Sequence, residues 1–283
     1  MTYLEFQQQF LESVSHLYEI NEAKAMWRWY VHDRWKIPPY QFVLKLHEDA
    51  PSIEHWKEDL EQLRQGTPLQ YVLGTTDFYG HSFRVDARAL IPRPETEELV
   101  DIIVKENQHR KHLRILDIGT GSGCIAISLA LSLPEAIVTA VDISQEALLL
   151  AQENAALHQV NILWQQMDIL SISYLSSCYD IIVSNPPYIP VSIKNALHRN
   201  VVNYEPAIAL FVPDEQPLIF YQKIAFLAAS SLVNGGKLYF ETYENYHSEI
   251  SQILEKQNFI EIKMSKDSFQ RQRFVSCKKS SLL

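Results

Sequence analysis

The sequence has few cysteines and does not group them. Cys124, Cys178 and Cys277 are widely spaced single residues in a chain of 283, and neither a C-x-x-C pair nor a Cys/His cluster occurs. This pattern argues against a disulfide framework and against a zinc site. We therefore expect core or surface thiols, and no bound metal.

Long apolar runs and excess basic charge are also missing. The apolar runs near the N-terminus are far too short to span a bilayer, and MTYLEFQQQF lacks the basic-then-apolar start of a secretion signal. We expect cytoplasmic residence and no membrane contact. The formal net charge is −9. Because sequence-independent nucleic-acid binding needs a basic face, no direct nucleic-acid partner is expected, whereas a basic protein partner is compatible.

Length and residue pattern predict two domains. Residues 1–66 carry apolar positions at helical spacing, which predicts a small helical domain whose tryptophans favour core packing over a binding surface. Residues 67–90 are β-rich, with Gly74 and Gly80 at turn positions, and predict a β-hairpin linker. Residues 91–283 form the predicted larger domain.

From residue 113 onward the pattern alternates between short apolar strands and helices. Strands of this kind are typical of a parallel sheet covered on both faces. The fold class is therefore α/β, with a doubly wound, mostly parallel seven-stranded sheet and a small N-terminal helical domain. In such folds the ligand lies beyond the carboxyl ends of the strands. The predicted strands are LRILDIG, AIVTAVD, NILWQQMD, YDIIVSN, GGKLYFET, FIEIKM and RFVSCK.

A glycine-rich turn, DIGTGSG, joins the first of these strands to a helix. Its glycines allow a sharp turn and close approach of a ligand, and its N–H groups would lie at a helix start. Because the sixth position is Cys124, the spacing is G-x-G-x-G and departs from the G-x-G-x-x-G of dinucleotide sites. The candidate cofactor-binding residues here are Gly119, Thr120, Gly121, Ser122 and Gly123, with Asp117 as a further candidate.

Acidic residues end the next two strands. Asp142 follows the second strand, where a carboxylate accepts both hydroxyls of a ribose; the alternative is a helix N-cap, for which Ser144 serves as well. Asp168 follows the third strand and would face an adenine, with Ile169 as an apolar cover. An adenosine site without a diphosphate fingerprint indicates S-adenosylmethionine as the cofactor and S-adenosylhomocysteine as the product.

The fourth strand ends on Asn185, Pro186, Pro187 and Tyr188, the predicted catalytic and substrate-binding residues. An amide or exocyclic amine is a weak nucleophile because its nitrogen lone pair is delocalised. The side-chain oxygen of Asn185, which also borders the cofactor, can accept one N–H of such a group, and the Pro186 carbonyl the other. Prolines keep the segment stiff, and Tyr188 offers a stacking face. Asn185, Pro186 and Tyr188 are the candidate catalytic residues.

Two further candidates lie in LIPRPETEELV, ahead of the first strand. Arg93 stands between two prolines, which would hold its guanidinium on a stiff segment at the mouth of the larger domain. Thr96 follows in the same segment. The neighbouring acids are explained by a helix start, where the dipole favours anions.

These motifs together resemble the peptide-chain-release-factor glutamine methyltransferase family. The resemblance covers nearly the whole chain and includes YEPAIAL, and the pairing of IPRPETE with NPPY in this order is specific to that family. It implies a class I methyltransferase, Rossmann-like fold and methylation of the glutamine in the Gly-Gly-Gln loop of class 1 release factors. It also implies that the N-terminal helices help to dock the release factor.

Two other functions remain open. Adenine-N6 methyltransferases of DNA or RNA use a similar clamp for an exocyclic amine. The acidic balance, the IPRPETE segment and the lack of an insert sized for target recognition disfavour them. A non-catalytic adaptor that keeps the methyltransferase fold is the other alternative, and the intact Asn185 and glycine turn argue against it.

Overall fold

A computed structural model describes residues 1–281, so Leu282 and Leu283 of the predicted larger domain lie outside the described residues. The chain divides into two compact units. One comprises Met1–Thr75 with His198–Tyr204, and the other comprises residues 76–197 with 205–281. The sequence placed the end of the first domain at residue 66 and did not indicate that 198–204 belongs with it.

The first unit is helical and has an aromatic core. Thr2 and Glu5 form a capping box at the start of its first helix, each side chain accepting from the other residue's N–H. Phe10 and Trp27 are fully buried in that core, as the helical spacing predicts. The helices are α1 (Tyr3–Val14), α2 (Ile20–Trp35), α3 (Pro39–Phe42), a 3-10 turn (Val43–Lys45), α4 (Trp56–Gln65) and α5 (Leu69–Leu73), together with α9 (Arg199–Tyr204).

The helix α5 is a departure from the β-rich interpretation of residues 67–90. Leu69, Val72 and Leu73 are spaced as one helical turn and pack into the core of the first unit. The hairpin that follows is shorter than predicted and consists of β1 (Thr75–Phe78) and β2 (His81–Arg84). Tyr79 and Gly80 both have positive φ, which is the signature of a two-residue hairpin turn that matches strand twist.

The second unit contains the predicted seven-stranded sheet. Its strand order is β10-β11-β9-β6-β3-β4-β5, and only β11 runs against its neighbours. The strands are β3 (Arg114–Ile118), β4 (Ile137–Asp142), β5 (Leu163–Gln166), β6 (Tyr179–Ser184), β9 (Leu232–Glu241), β10 (Phe259–Lys266) and β11 (Gln272–Lys279). The helices are α6 (Pro94–Asn107), α7 (Cys124–Ser132), α8 (Gln145–Leu157), α10 (Ala207–Leu210), α11 (Ile219–Ser231) and α12 (His247–Lys256).

Both faces of this sheet are buried, because successive side chains of a strand point to opposite faces. Ile115 and Ile181 pack into one apolar cluster with α6 and α7, while their neighbours Leu116 and Ile182 pack into another with α11 and α12. The central strands therefore read as continuous apolar runs. The doubly wound α/β fold predicted from the sequence is confirmed.

A second small sheet was not predicted. The strands β7 (Ile189–Pro190) and β8 (Phe211–Val212) are two residues long and pair in parallel. Two 3-10 turns, Val191–Ala196 and Glu244–Tyr246, were missed as well. Strands this short leave no alternation in the sequence, so pattern reasoning has no signal for them.

Candidate active site

The carboxyl ends of four neighbouring strands meet at one edge of the seven-stranded sheet. Ile118 of β3 is in register with Val141 of β4 and with Ser184 of β6, and Ser184 is in register with Phe240 of β9. The chain order along the sheet reverses between β3 and β6, and such switch points are where doubly wound sheets bind ligands. The residues that follow the four register partners are Gly119, Asp142, Asn185 and Glu241.

A cavity of ≈ 290 Å³ opens at this edge. It brings together residues from four of the predicted motifs, which lie far apart in the chain. Apolar side chains of α11 and of the β4–α8 connection complete its wall. The predicted residues that line it are Gly119, Gly121, Asp142, Asp168, Ile169, Asn185, Pro186 and Pro187.

The N–H groups of the glycine turn point at the protein's own strand ends, which differs from the expectation that they face a ligand. The N–H groups of Gly119 and Thr120 both donate to the carbonyl of Val141, at 2.9 and 3.1 Å. That of Gly121 donates to Oδ2 of Asp142 at 2.9 Å. Gly119 adopts φ +74°, and no protein atom lies within 4 Å of the position that a Cβ would take. A ligand therefore has room to approach the backbone of Gly119 closely.

The remaining residues of the turn face the interior, although the sequence grouped them with the ligand-binding residues. Thr120 is buried and donates its hydroxyl to Oδ2 of Asp117 at 2.6 Å. Asp117 is fully buried, and burial raises its pKa to about 7. Ser122 is buried as well. At Gly123 a Cβ would lie 3.0 Å from that of Ala151, so this glycine serves the packing of α7 on α8.

Asp142 is held by backbone on both sides. Its Oδ1 accepts from the N–H of Ser144 at 2.9 Å, and its Oδ2 accepts from that of Gly121. The helix N-cap is Ser144, whose hydroxyl accepts from the N–H of Ala147 at 3.2 Å. Burial raises the pKa of Asp142 and the backbone bonds oppose that rise. Each carboxylate oxygen keeps acceptor capacity for a hydroxyl group, so the geometry favours the ribose interpretation over the cap.

The strand β5 is closely followed by a polar residue, Asp168, and an apolar one, Ile169. Oδ1 of Asp168 accepts from the N–H of Leu170 at 2.9 Å, which fixes the carboxylate beside the cavity. Ile169 is buried and lines the cavity together with Phe220 and Ile224 of α11. This part of the wall is suited to a flat apolar ring.

Asn185 is oriented by side chains from two other elements. Its Nδ2 donates to Oγ1 of Thr96 at 3.2 Å, and the Thr96 hydroxyl donates to Oε2 of Glu241 at 2.6 Å. Thr96 lies in the first turn of α6, and Glu241 ends β9. The amide of Asn185 thus has its nitrogen turned toward Thr96 and its oxygen turned the other way, as the hydrogen-bond network assigns it.

Sequence reasoning missed Glu241. It is 2% exposed, and burial raises its pKa to about 7, against the opposing effects of the Thr96 hydrogen bond and of Arg273. The signal that could have found it is its position, because an acid at the carboxyl end of a central parallel strand lies where ligands bind.

Tyr188 packs behind the prolines. Its ring stacks on that of Tyr243 with centroids 6.0 Å apart and planes 23° apart, and Tyr243 in turn packs on Tyr246. Its hydroxyl lies 3.5 Å from Oε1 of Glu241. Burial, with the Glu241 carboxyl as a second cause, raises the pKa of Tyr188. One face of the predicted stacking ring is therefore covered by Tyr243, which follows the end of β9.

Arg93 forms an ion pair that ties two of the motifs together. One of its guanidinium nitrogens (NH2) donates to Oε1 of Glu205 at 2.6 Å, and Oε2 of Glu205 accepts from the N–H of Ile91 at 3.1 Å. Glu205 is buried, and Pro206 and Ile208 just after it line the cavity. The pair therefore positions a cavity wall.

Residues 1–281 contain no group of three or more His, Cys, Asp or Glu side chains arranged to hold a metal ion. Within the same range, no helix has both the length and the apolar character needed to span a lipid bilayer.

Methyltransferases are among the known proteins that this chain resembles. A family model described as the methyltransferase small domain matches residues 96–203. A methyltransferase of known structure from Pyrococcus furiosus has a TM-score of 0.51 at 18% identity, covering 70% of this chain and 88% of its own. The 16S rRNA N2 G1207 methyltransferase of Thermus thermophilus gives 0.50 at 17% identity, covering 72% and 49%.

The fold is that of the class I methyltransferases. Two relatives are much closer in sequence, and both are called release factor glutamine methyltransferase. That of Flavobacterium psychrophilum is 42% identical over 95% of this chain and 96% of its own, and that of Bacteroides thetaiotaomicron is 46% identical over 76% and 77%. The chain belongs to the release factor glutamine methyltransferase family.

Proposed function

We propose that this chain transfers a methyl group from S-adenosylmethionine to the side-chain amide nitrogen of the glutamine in the Gly-Gly-Gln motif of class 1 peptide chain release factors. The observation that carries the proposal is the position of Asn185 and Pro186 on the same cavity as Gly119 and Asp142. An amide clamp and an adenosine-type pocket at one sheet edge suit methyl transfer to an amide.

The residues of the cavity fit S-adenosylmethionine. Asp142 provides acceptors for ribose hydroxyls, and Ile169 with Phe220 provides an apolar slot for adenine. The N–H groups of Gly119, Thr120 and Gly121 are already engaged, which suits a ligand without a diphosphate. When bound, S-adenosylmethionine supplies a methyl group on a positively charged sulfur, and the neutral thioether that remains is a good leaving group.

The chain's own part is to grip and aim the acceptor. Oδ1 of Asn185 accepts one hydrogen of the glutamine amide and the carbonyl of Pro186 accepts the other, so the amide nitrogen points into the cavity. Pro186 and Pro187 have no N–H, so neither can bind the carbonyl oxygen of the substrate amide and draw the wrong end of that amide into the clamp. A methylated amide sheds its extra proton readily, so no strong base is required. Positioning can supply much of the rate, since well-aligned intramolecular reactions gain ~7–11 kcal/mol.

Three supporting assignments rest on the geometry, on the family and on the net charge, in that order. Tyr188 does not line the cavity, and it supports the clamp from behind through its stack on Tyr243. The helices of residues 1–66 are assigned the docking of the release factor, on the basis of the family. The net charge of −9 suits a protein substrate better than a nucleic acid.

The test uses purified protein, labelled S-adenosylmethionine and a release factor that carries Gly-Gly-Gln. We expect incorporation into the factor, and none when its glutamine is changed to alanine. Labelling of the altered factor, or preferential labelling of the adenines of DNA or RNA, would overturn the glutamine assignment. Binding of the factor without any transfer would indicate an adaptor.

A further inference from the structure

A chain of hydrogen bonds links Asn185 of the acceptor clamp to two buried polar side chains behind it. It runs from Asn185 at the end of β6, through Thr96 in the first turn of α6, to Glu241 at the end of β9. Thr96 is 3% exposed and Glu241 is 2% exposed, so water does not compete for either group. Neither side chain lines the cavity. Thr96 therefore acts on the cavity through Asn185, and Glu241 acts through Thr96 and also reaches the hydroxyl of Tyr188 at 3.5 Å.

The direction of the hydrogen bonds in this chain decides which way Asn185 faces. A threonine hydroxyl carries a single proton, and here that proton goes to Oε2 of Glu241 over 2.6 Å, a short bond of the charge-assisted kind. Oγ1 of Thr96 is then left as an acceptor. Only the nitrogen end of the Asn185 amide can meet it favourably, because Oδ1 in that place would face lone pairs.

The two ends of an asparagine amide are almost identical in shape, so packing alone does not select between them. The acceptor clamp needs the oxygen end. Were the amide turned over, its N–H groups would meet the N–H groups of the substrate amide, and both would lack acceptors. The Thr96 bond at 3.2 Å supplies the selection that shape does not.

Several charged and titratable groups surround Glu241. The Tyr188 hydroxyl is 3.5 Å from Oε1, and Arg273, Arg93 and Glu95 act on the carboxyl electrostatically. Burial raises its pKa to about 7, so the ionised form that only accepts becomes depleted as pH falls below about 7. The protonated form can donate as well as accept, and it no longer fixes the direction of the Thr96 proton.

We propose that Glu241 is a positioning residue for methyl transfer, which acts through Thr96 to hold Asn185 with its oxygen toward the acceptor amide. This inference rests on the proposed function. It assigns a role to a residue that does not line the cavity.

The first test separates the hydroxyl of Thr96 from its shape. Thr96→Val keeps the volume and removes the acceptor, and we expect kcat to fall about 10- to 100-fold. Thr96→Ser keeps the hydroxyl and should retain kcat within about threefold. Thr139→Val, at a buried threonine of β4 that does not line the cavity, is the matched control and should leave kcat unchanged. Equal losses in the Val and Ser variants of Thr96, or wild-type kcat in Thr96→Val, would overturn the proposal.

Affinity and pH separate positioning from a structural effect. The Kd of S-adenosylhomocysteine should stay within about twofold in the Thr96 variants, since Thr96 lies outside the cavity. In wild type, kcat should fall as pH drops below about 7, because Glu241 becomes protonated. Glu241→Gln should lower kcat about tenfold, because the amide can donate to Thr96, and should remove this fall, because an amide does not titrate. A fall of kcat that persists unchanged in Glu241→Gln would assign the titration elsewhere and overturn the role of Glu241.

A further readout needs no release factor. Nitrogen-15 NMR of the free protein measures how fast the side-chain NH2 hydrogens of Asn185 exchange with water. This exchange should be about tenfold faster in Thr96→Val than in wild type, and in Thr96→Ser it should be as slow as in wild type. Thr96→Ala replaces the valine variant if that variant does not fold. Exchange that is independent of Thr96 refutes the inference even where wild type methylates the release factor. Wild type that does not methylate the factor refutes the proposed function, whatever the exchange rates are.

Discussion

In the proposed function the cavity has a cofactor half, at Gly119 and Asp142, and an acceptor half, at Asn185 and Pro186. A threonine hydroxyl that donates to a buried acid lies under each half. Under the cofactor half, the hydroxyl of Thr120 donates to Asp117 at 2.6 Å, and under the acceptor half that of Thr96 donates to Glu241 at 2.6 Å. Both carboxyls are buried, and burial raises the pKa of each to about 7. A threonine bound to a buried acid therefore supports each side of the site.

The group that each threonine–acid pair supports differs between the two halves. Thr120 belongs to the glycine turn itself, whose N–H groups are tied to Val141 and Asp142, so the cofactor half is fixed as backbone. Thr96 holds the side chain of Asn185, so in the acceptor half a side chain is held by other side chains. Changes in the cofactor half should appear in ligand affinity or stability. Changes in the acceptor half should appear in turnover.

The largest effect that would sharpen this comparison is expected at Asn185. Asn185→Ala removes the acceptor for one N–H of the substrate amide, and we expect kcat to fall about 10³-fold, or about 4 kcal/mol in the activation free energy. The KM for S-adenosylmethionine should change less than about threefold. Steady-state kinetics with a release factor give both values. The exposed Asn161→Ala is the control, and turnover near the wild-type rate in Asn185→Ala would break the division between the halves.

Much of this arrangement is readable from sequence because it is local. The strands alternate with helices, and the residues that line the cavity follow directly after strands, so the residue pattern alone places Gly119, Asp142 and Asn185 at one edge of the sheet. It puts Glu241 at a strand end as well, but it does not pair Glu241 with Thr96 or Glu205 with Arg93. Glu205 meets Arg93 across 112 residues, and Glu241 meets Thr96 across 145 residues. Contacts this distant in the chain leave no periodic trace, and only the folded sheet brings them together.

The glycine turn carries a similar lesson. Its motif predicted a ligand-binding loop, yet only Gly119 and Gly121 of the five residues line the cavity. A glycine can be needed for close approach of a ligand or for close packing of two helices, and the sequence looks the same in both cases. Gly119, with open space at its Cβ position, and Gly123, with Ala151 at 3.0 Å, represent the two cases within one motif.

The next effect concerns the pH dependence of stability at Asp117. Its pKa is raised to about 7 in the folded protein, whereas the unfolded chain releases this proton near pH 4. Between those values the native state binds more protons, so the free energy of unfolding falls as pH rises from about 4 to about 7. Asp117→Asn does not titrate and should gain on the order of 3 kcal/mol relative to wild type over that range.

Denaturant unfolding of both proteins at pH 5 and pH 8 measures this gain. The Glu241→Gln variant should show a gain of the same sign, because the pKa of Glu241 is raised for the same reason. A constant difference between Asp117→Asn and wild type across the range would mean that Asp117 is not protonated in the folded protein, and the likeness of the two carboxyls would be lost.

A smaller effect is expected at Asp142, in the cofactor half. Asp142→Asn keeps an acceptor for one backbone N–H and loses the charge that strengthens bonds to ribose hydroxyls, so the binding free energy of S-adenosylhomocysteine should weaken by about 1.5–3 kcal/mol. Calorimetric titration gives the Kd, and saturating cofactor should restore kcat to within about threefold. The exposed Asp77→Asn is the matched control. A loss of kcat that saturating cofactor does not restore would place Asp142 on the acceptor side of the division.

The smallest effect distinguishes Asp142 from its neighbour Ser144. The hydroxyl of Ser144 caps α8 by accepting from the N–H of Ala147. Ser144→Ala should therefore lower the free energy of unfolding by about 1 kcal/mol, and Ser144→Asp should restore it because aspartate caps equally well. Thermal unfolding checks the stability, and the Kd of S-adenosylhomocysteine should change less than about threefold. Because Asp142 and Ser144 are two residues apart on one turn, a loss of affinity in Ser144→Ala as large as that in Asp142→Asn would mean that the turn binds the ligand as a unit, and the ribose contact would no longer be assigned to Asp142 alone.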